Sequence, residues 1–423
     1  MTPRSIGTAA ATASSESAAV RVNGNKPTVF AAFLHFDLSF MIWVLLGALG
    51  VSISEGLGLS ASQKGLMVAI PILSGSLMRI PLGLLSDRFG GRRVGIAMLL
   101  GLFVPLTIGW QAGTSLGTLI GVGLMLGVAG ASFAVVLPLA SRWYPPERQG
   151  LVMGIAAAGN SGTVVANLVA PRIAAHVGWH NVLALTMIPL AIVLVVFSIL
   201  AKDSPNRAAK QTVAGYLTVL RVPELWWFCL FYSVTFGGYV GLSSFMPILL
   251  RDQYHVAAVT AGYLTAIAAL AGSALRPVGG YVADRIGGVR LLSVLLVGIM
   301  AAYMIASRIP GLVAMTAILV TAMVCLGLGN GAVFQLVPQC FRGQIGIATG
   351  VVGAVGGLGG FMLPTLLGQI KQGTGSFQIG FIVLGSIALT ALLLLRVLMA
   401  TNPHWRSSWR RAAVIGTEAR RAA

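Results

Sequence analysis

Residues 79–93 read RIPLGLLSDRFGGRR, and residues 276–290 read RPVGGYVADRIGGVR. Both stretches begin with an arginine and carry an Asp-Arg pair and a Gly-Gly pair at the same spacing. The offset between them is 197 residues (276 minus 79). A repeat at this offset predicts two structural copies in one chain. Both initial arginines also fall inside apolar runs that are long enough to cross a membrane.

The composition is that of a membrane protein. Of 423 residues, 57% are hydrophobic and only 9% are charged, with a mean hydropathy of +0.89. A soluble domain is typically about 25% charged. The three cysteines lie in or at the ends of apolar segments, without metal-ligand spacing. We therefore predict no disulfide, no metal site and no cofactor. The cysteines are Cys229, Cys325 and Cys340.

Twelve apolar runs are long enough to cross about 30 Å of hydrocarbon. They predict an all-α integral membrane protein with twelve transmembrane helices in two parallel six-helix repeats. The halves are residues 30–201 and 224–400, joined by a cytoplasmic linker at 202–223. Residues 1–29 are expected to form a disordered cytoplasmic tail, and residues 401–423 a second tail. The predicted spans are 30–53, 65–86, 94–112, 115–140, 150–171, 181–201, 225–250, 258–283, 290–308, 311–338, 343–369 and 376–400.

The net charge of +18 would suggest a nucleic-acid partner in a soluble chain. Here the basic residues instead predict the orientation in the membrane. Most of the 28 Lys and Arg residues fall on the side that holds both termini. The positive-inside rule therefore predicts that both termini are cytoplasmic, and no nucleic-acid partner is needed. The opposite side holds only Lys64, Arg172, Arg251, Arg308 and Lys371.

Arg79 and Arg276 are the two charges that need an explanation, since a guanidinium within a span costs at least about 2.5–3.5 kcal/mol. One alternative is a structural pair with a carboxylate, but no Asp or Glu lies in a nearby span at similar depth. An anion is then the expected counterion. The planar donor fork of arginine suits a small oxyanion. One arginine from each half predicts a single anion site on the axis that relates the halves.

Four segments together resemble the nitrate/nitrite porters of the major facilitator superfamily. The resemblance covers nearly everything between residues 30 and 400. It implies a secondary transporter in the bacterial inner membrane that moves nitrate by alternating access, with nitrite as a candidate second substrate and the lipid bilayer as its environment. We expect it to act as a monomer. The segments are GSLMRIP (75–81), SALRP (273–277), GIAAAGNSG (154–162) and GVVGAVGGLGGFMLP (350–364).

The resemblance also implies the substrate-binding residues. Besides the arginine pair, they are Asn160 as a polar contact and Phe133, Tyr232 and Phe236 as aromatic walls. The alternative for Asn160 is an interhelical hydrogen bond, and the alternative for the aromatic residues is ordinary packing. Glycines let helices approach closely, and this packing role is favoured over direct contact with substrate for the signature glycines. These are Gly154, Gly159, Gly353, Gly357 and Gly360.

The Asp-Arg pairs resemble the two cytoplasmic loop signatures of the superfamily. They are Asp87-Arg88 in the first copy and Asp284-Arg285 in the second. Their carboxylates are expected to pair with arginines or to cap neighbouring helix ends, as a gating latch. A structural role is favoured over any contact with substrate.

The energy coupling is the next question. Import of an anion into a negative interior costs about 2.3 kcal/mol per charge per 100 mV. Asp37, with His35 two residues before it, is the candidate proton carrier in the first span. The alternative is that Asp37 caps the start of that span. The pattern FDLSFMIW (36–43) resembles the proton-coupled branch of the porters. Nitrate/proton symport is therefore favoured, with nitrate/nitrite antiport and another oxyanion such as phosphate left open.

Other classes of function fit less well. An enzyme would need a nucleophile, a metal cluster or an acid/base pair within the apolar runs, and the sequence has no such constellation; we predict that the chain is not an enzyme. A membrane sensor would be expected to carry an output domain, and residues 402–423 are too short for one. A passive anion channel is not separated from a carrier by the sequence.

Overall fold

The computed structural model describes residues 24–145, 152–153, 155–156, 158–205, 213–341, 345–402 and 405. The regular structure of these residues is helical throughout. The helices are α1 (Lys26–Trp43), α2 (Leu45–Ala48), α3 (Gly50–Leu57), α4 (Ala61–Phe89), α5 (Gly91–Ala112), α6 (Leu116–Gly130), α7 (Phe133–Ser141), α8 (Gly162–Val177), α9 (Trp179–Leu200), α10 (Val213–Leu220), α11 (Pro223–Tyr232), α12 (Gly238–Tyr254), α13 (Ala258–Ile286), α14 (Gly288–Ala306), α15 (Leu312–Cys340), α16 (Ile345–Thr374) and α17 (Gln378–Thr401).

Ten helical segments in the described part of the chain are long and apolar enough to cross a membrane. They fall on ten of the twelve predicted spans. The first predicted span is a succession of three helices, α1 to α3. The described part of the fifth consists of the helical residues 152–153 and 155–156, then a 3-10 turn, Ala158–Ser161, and then α8. The prediction of an all-α, multi-pass membrane protein is confirmed, and helices occupy the two remaining predicted places as well.

The helix boundaries differ from the predicted spans by a few residues at most ends, as at the start of α1 and in the linker. Helix α1 begins at Lys26, before the predicted residue 30, because the side chain of Asn25 caps it by accepting a 3.0 Å bond from the Thr28 amide. The predicted linker at 202–223 contains the short helix α10. Most of the two predicted tails lies outside the described residues.

The paired glycines of the repeat end one long helix and begin the next. Gly90 follows α4 with φ 95°, and Gly287 follows α13 with φ 93°. A residue with a side chain is strained at such positive φ, whereas glycine is not. The equal offset of the two glycines, 197 residues, shows that the same turn is built in both copies of the repeat.

The two halves meet along α4 and α16, at small residues. Gly65 on α4 lies against the backbone of Pro364, and further along the same helix Ser76 lies against Gly357. The helices α8 and α13 meet in the same way, where Gly262 lies against the carbonyl of Asn167. Helix association in membranes relies on such close packing, since there is no hydrophobic driving force between the helices.

Two ion pairs join the halves at the end of the bundle where α3 leads to α4, called here the Glu55 end. Lys64 Nζ contacts both carboxylate oxygens of Asp252, at 2.8 and 2.9 Å. Arg251 Nε donates to Glu55 Oε1 at 2.8 Å. The Glu55 end is thus held closed by contacts that cross between the halves. The predicted orientation makes this end extracellular.

Charge exchange tests whether the ion pair between Lys64 and Asp252 keeps the Glu55 end closed. Reversal of one charge, Lys64→Asp or Asp252→Lys, should open the Glu55 end because like charges then face each other, and the double variant should close it again. The alkylation rate of Ser54→Cys by a maleimide, in a background without the native cysteines, measures the opening. A pair worth about 1 kcal/mol corresponds to about a fivefold rise in each single variant. If the double and single variants react equally fast, this ion pair does not keep the Glu55 end closed.

A control variant lies in the same place. Lys371 lines the same depression as Lys64 and Asp252, but its Nζ donates to the carbonyl of Gly375 in its own half at 2.7 Å. Lys371→Gln removes a cation without removing a contact between the halves. Alkylation of Ser54→Cys should therefore stay at its original rate in this variant.

Candidate anion-binding site

Arg79 is buried within α4, with only 3% of its surface exposed. Its Nε donates to the carbonyl of Gly130 at 3.3 Å, and its Nη1 donates to the carbonyl of Gly353 at 2.5 Å. Its Nη2 is buried and has no hydrogen-bond partner among the described residues. One carbonyl from each half therefore holds the guanidinium, and a donor is left for a further acceptor.

Arg276 lies at the matching place on α13 and is half-buried. Its Nη2 donates to the hydroxyl of Tyr232 at 3.0 Å. The ring of Phe236 lies beside both guanidiniums, with its centroid 4.9 Å from Arg79 Cζ and 5.8 Å from Arg276 Cζ. The structure thus brings the two arginines of the sequence repeat beside one aromatic ring.

The backbone between α11 and α12 is a π-helical turn, Ser233–Gly237. Such turns are rare and are found mostly at functional sites. Phe236 lies within the turn and Tyr232 lies immediately before it, and their rings stack with centroids 4.9 Å apart. The wider turn therefore presents both predicted aromatic walls to the arginine pair.

The aromatic residues around the arginines form a cage. Phe334 packs edge-on against Tyr232, with ring centroids 4.8 Å apart, and against Phe133 at 6.0 Å. Aromatic faces attract cations, and several of these rings lie within 6 Å of a guanidinium carbon. This aromatic cage consists of Trp43, Phe133, Tyr232, Phe236 and Phe334.

The electrostatic balance of the cage is positive. Three ion pairs are found among the described residues, and none includes Arg79 or Arg276. The polar partners of the two guanidiniums are carbonyls and a hydroxyl, which are neutral. A net charge of this kind in a low-dielectric interior is stabilised by an opposite charge. The arrangement can therefore hold a small anion.

The glycines of the two signature segments determine how closely the helices approach the site. A Cβ on Gly357 would meet Ser76 Oγ, and a Cβ on Gly159 would lie 2.7 Å from the backbone nitrogen of Asp37. Gly360 lies against Gly237. These contacts agree with the favoured packing role. Gly353 also has a polar role, since its carbonyl binds Arg79. Gly154 lies outside the described residues.

Asn160 lies in the 3-10 turn Ala158–Ser161, which packs against α1 and α13. Its side chain is 3% exposed, and its Oδ1 has no hydrogen-bond partner in the described part of the chain. A buried amide oxygen without a partner is costly unless a ligand or water satisfies it. The prediction that Asn160 contacts the anion stays a prediction, and this unpartnered atom is consistent with it.

Asp37 lies eleven residues after Lys26 (37 minus 26), in the interior of α1. The cap of that helix is Asn25, so the alternative role of Asp37 as a helix cap is wrong. Its Oδ1 accepts a 2.6 Å hydrogen bond from the hydroxyl of Ser161. The carboxyl group is therefore tied to the turn that carries Asn160.

His35 faces a different part of the bundle. It is fully buried, and its Nε2 lies 3.1 Å from the carbonyl of Gly95. Its Nδ1 lies 3.2 Å from Ser39 Oγ, and its ring packs on Phe197 with centroids 4.8 Å apart. Both ring nitrogens are thus engaged away from Asp37. These contacts favour a structural role between helices, and a part of His35 in proton coupling stays a prediction.

The first of the two loop signatures forms the predicted pair. Asp87 Oδ1 accepts from Arg142 Nη2 at 2.6 Å, which joins the end of α4 to the end of α7. Asp203 caps the following helix, since its Oδ1 accepts from the Arg92 amide at 3.1 Å. Arg88 lies over the ring of Phe89. The latch role of this loop has the expected geometry.

In the second loop signature, Arg285 lies over the ring of Tyr281 at 4.3 Å. Asp284 is exposed at the end of α13. The equivalent of Arg142 in the second half is Arg342, 200 residues later. Arg342 lies outside the described residues, so the pairing of Asp284 stays a prediction.

Sequence reasoning missed several groups that contact the arginine pair. Trp43 Nε1 donates to the carbonyl of Pro71 at 2.7 Å, which fixes its ring beside Arg79. Phe334 contacts Arg276 from α15. A backbone carbonyl such as that of Gly130 leaves no signal in a side-chain pattern. Trp43 could have been found, because it ends the FDLSFMIW pattern; Phe334 had no comparable signal.

Comparison with known proteins agrees with this fold. The family model described as Major Facilitator Superfamily matches residues 30–364. A solved bacterial homologue of the human lysosomal transporter Spinster, in an inward-facing and occupied conformation, superposes with a TM-score of 0.64. The alignment covers 92% of this chain and 98% of that chain, at 18% identity. The chain belongs to the major facilitator superfamily of transporters.

Curated relatives narrow the family. The nitrite extrusion protein of Bacillus subtilis (strain 168) is 38% identical over 357 residues, covering 84% of this chain and 90% of the relative. The probable nitrate/nitrite transporter NarK2 of Mycobacterium tuberculosis (strain ATCC 25618 / H37Rv) is 35% identical, covering 84% and 91%. The probable nitrate/nitrite antiporter NarK1 of Thermus thermophilus is 32% identical, covering 85% and 88%. The chain belongs to this nitrate/nitrite porter family.

The contact between Gly357 and Ser76 gives a test of the helix seam. Gly357→Ala would force α4 and α16 apart, which at a packed contact costs about 1–3 kcal/mol. We expect a lower melting temperature and a large loss of transport. Gly373→Ala is the matched control, because a Cβ at Gly373, on the same helix, would meet nothing within 4 Å. Equal melting temperatures and equal transport in the two variants would refute the close packing of α4 against α16.

Proposed function

We propose that this protein is a secondary transporter that carries nitrate, and nitrite as a second substrate, across the bacterial inner membrane. One observation carries the proposal. The two repeat-matched arginines, Arg79 and Arg276, lie beside the same ring with neutral partners, and the buried Nη2 of Arg79 lacks an acceptor in the described structure. A single small anion supplies both the missing charge and the missing acceptor.

The walls of the site favour a flat monoanion over phosphate. Nitrate is planar and singly charged, and its oxygens can accept from guanidinium forks that approach in its own plane. Phosphate is tetrahedral and carries more charge, so its desolvation in an aromatic cage costs more. The tight glycine seam beside Arg79 also supports a small substrate. The names of the curated relatives agree with this substrate class.

The proposed mechanism is alternating access. Residues 30–201 and 224–400 form the two halves, which rock about the arginine pair as in other transporters of this superfamily. The closed Glu55 end and the charge pairs across it support one state of this cycle. We further propose cytoplasmic termini, from the positive-inside rule, and a monomeric transporter.

Substitution of the arginines tests the substrate site. Arg79→Lys and Arg276→Lys keep the charge but lose the planar fork. In proteoliposomes, we expect each to weaken the apparent affinity for tracer nitrate at least about tenfold, since a charged hydrogen bond is worth about 1.5–3 kcal/mol. Arg172→Lys is the control, because Arg172 lies over Tyr263 outside the cage. Unchanged affinity in both site variants would refute the anion clamp.

We propose proton symport as the driving reaction, with Asp37 as the proton carrier. The carboxyl group lies within α1 and accepts from Ser161, in the turn that carries Asn160. Loss or gain of a proton at Asp37 would change that hydrogen bond, next to the proposed polar contact of the anion. Two protons per nitrate would make uptake electrogenic in the favourable direction.

Nitrate/nitrite exchange is the second candidate for coupling. The Thermus relative is named as an antiporter, and the Bacillus relative is named for nitrite extrusion. Exchange of two monoanions is electroneutral and needs no titratable side chain. It would use the same arginine pair in both directions.

The variant Asp37→Asn distinguishes proton symport from nitrate/nitrite exchange. We expect this variant to lose nitrate accumulation driven by an imposed pH gradient while it keeps nitrate counterflow, which moves no net charge. His35→Gln should keep the response to the pH gradient, because His35 bonds Gly95 and Ser39 instead. Wild-type uptake that ignores the pH gradient but requires internal nitrite would establish exchange in place of symport.

A further inference from the structure

The two arginines of the site are held unequally. Arg79 donates to two backbone carbonyls, those of Gly130 and Gly353, which cannot rotate away. Arg276 donates to one rotatable group, the hydroxyl of Tyr232. The guanidinium of Arg276 therefore has greater freedom to change partners. A second acceptor nearby would set the position that it takes after it leaves the hydroxyl of Tyr232.

Asn330 on α15 is a buried polar side chain that the proposed function does not use. It is 2% exposed, and its Oδ1 has no hydrogen-bond partner in the described part of the chain. Native proteins rarely leave such an atom unsatisfied, and the exceptions often mark functional positions. The question is which donor this oxygen serves.

The sequence repeat relates Asn330 to an acceptor of Arg79. The sequence of α15 aligns with that of α6 and α7 in the first half at an offset of 200 residues. Two pairs of identical residues support this alignment: Gly127 with Gly327, and Pro138 with Pro338. Both glycines of the first pair face a glycine on the arginine-bearing helix. At the same offset, Asn330 stands where the first half has Gly130, whose carbonyl binds Arg79.

The neighbours of Asn330 define the direction in which it points. Gly331 lies against the carbonyl of Arg276, and Gly329 lies against the π-helical turn. The residue between them therefore faces the space between α13 and that turn, which is where the guanidinium of Arg276 lies. Phe334 lies one helical turn further along the same face. Its ring centroid is 5.8 Å from Arg276 Cζ.

We propose that Asn330 is a positioning residue for Arg276. Its amide oxygen accepts from the guanidinium when Arg276 leaves the hydroxyl of Tyr232, as the Gly130 carbonyl accepts from Arg79 throughout. The proposal rests on the proposed function, because it explains how Arg276 stays directed at the anion while the halves move. Tyr232 and Asn330 are then alternative acceptors for one side chain.

A double-mutant cycle tests the alternative acceptors. Asn330→Leu keeps the size of the side chain but removes the acceptor, and Tyr232→Phe removes the hydroxyl alone. Each single variant should raise the apparent KM for nitrate counterflow about threefold, and the double variant at least about thirtyfold, because coupled residues are not additive. The maximal rate and the melting temperature of Asn330→Leu should stay close to those of the unsubstituted protein.

Two further variants make the result specific. Asn330→Leu combined with Phe133→Leu, which does not touch the hydrogen bonds of Arg276, should give only the product of the single effects. Asn330→Gln restores a carboxamide and should recover most of the affinity in the Tyr232→Phe background. These readouts separate positioning from packing, which would lower the melting temperature and the maximal rate instead.

The outcomes distinguish this inference from the function on which it rests. A double variant of Tyr232→Phe and Asn330→Leu whose effect is the product of the single effects overturns the positioning role and leaves nitrate transport intact. Absence of nitrate counterflow in the unsubstituted protein overturns the proposed function, and this inference with it. A synergistic double variant rescued by Asn330→Gln supports both.

Discussion

The structure depends on one constraint: a buried guanidinium needs an acceptor for every donor, and Arg79 has too few. Two carbonyls engage two of its nitrogens, and the third lies buried without a partner in the described structure. A buried nitrogen of this kind needs an acceptor from a ligand or from ordered water. The side chain is tolerated because aromatic faces surround it and because an anion can complete its hydrogen bonds. A site for an anion is in this sense the stabilising partner of the arginine.

The surrounding architecture serves the same constraint. The carbonyl of Gly353 reaches Arg79 because the seam between α4 and α16 is lined with glycine, and a single methyl at Gly357 would separate the helices. The π-helical turn places Phe236 where it faces both guanidiniums. Backbone geometry, helix packing and charge are therefore coupled in one region of the molecule, in which few substitutions are independent of the others.

Sequence alone supplied the class of fold, the repeat and the arginine pair, because charge in an apolar run and a fixed offset are properties of the linear chain. The aromatic walls came from family resemblance, and the structure puts all three beside the arginines. The carbonyl acceptors and Phe334 could not be predicted, since they depend on how helices cross. The contacts of His35 could not be predicted for a similar reason: residues two apart on a helix face different directions, and His35 bonds another helix.

The bond from Arg79 to Gly353 joins a substrate-site residue of one half to the backbone of the other. An anion that binds at the free Nη2 leaves this tie in place when the site fills. In the proposed alternating-access cycle, the two halves therefore stay close at the depth of Arg79. Their separation can then be large at the two ends of the bundle and small at its centre, so that the guanidinium acts as the pivot of the motion.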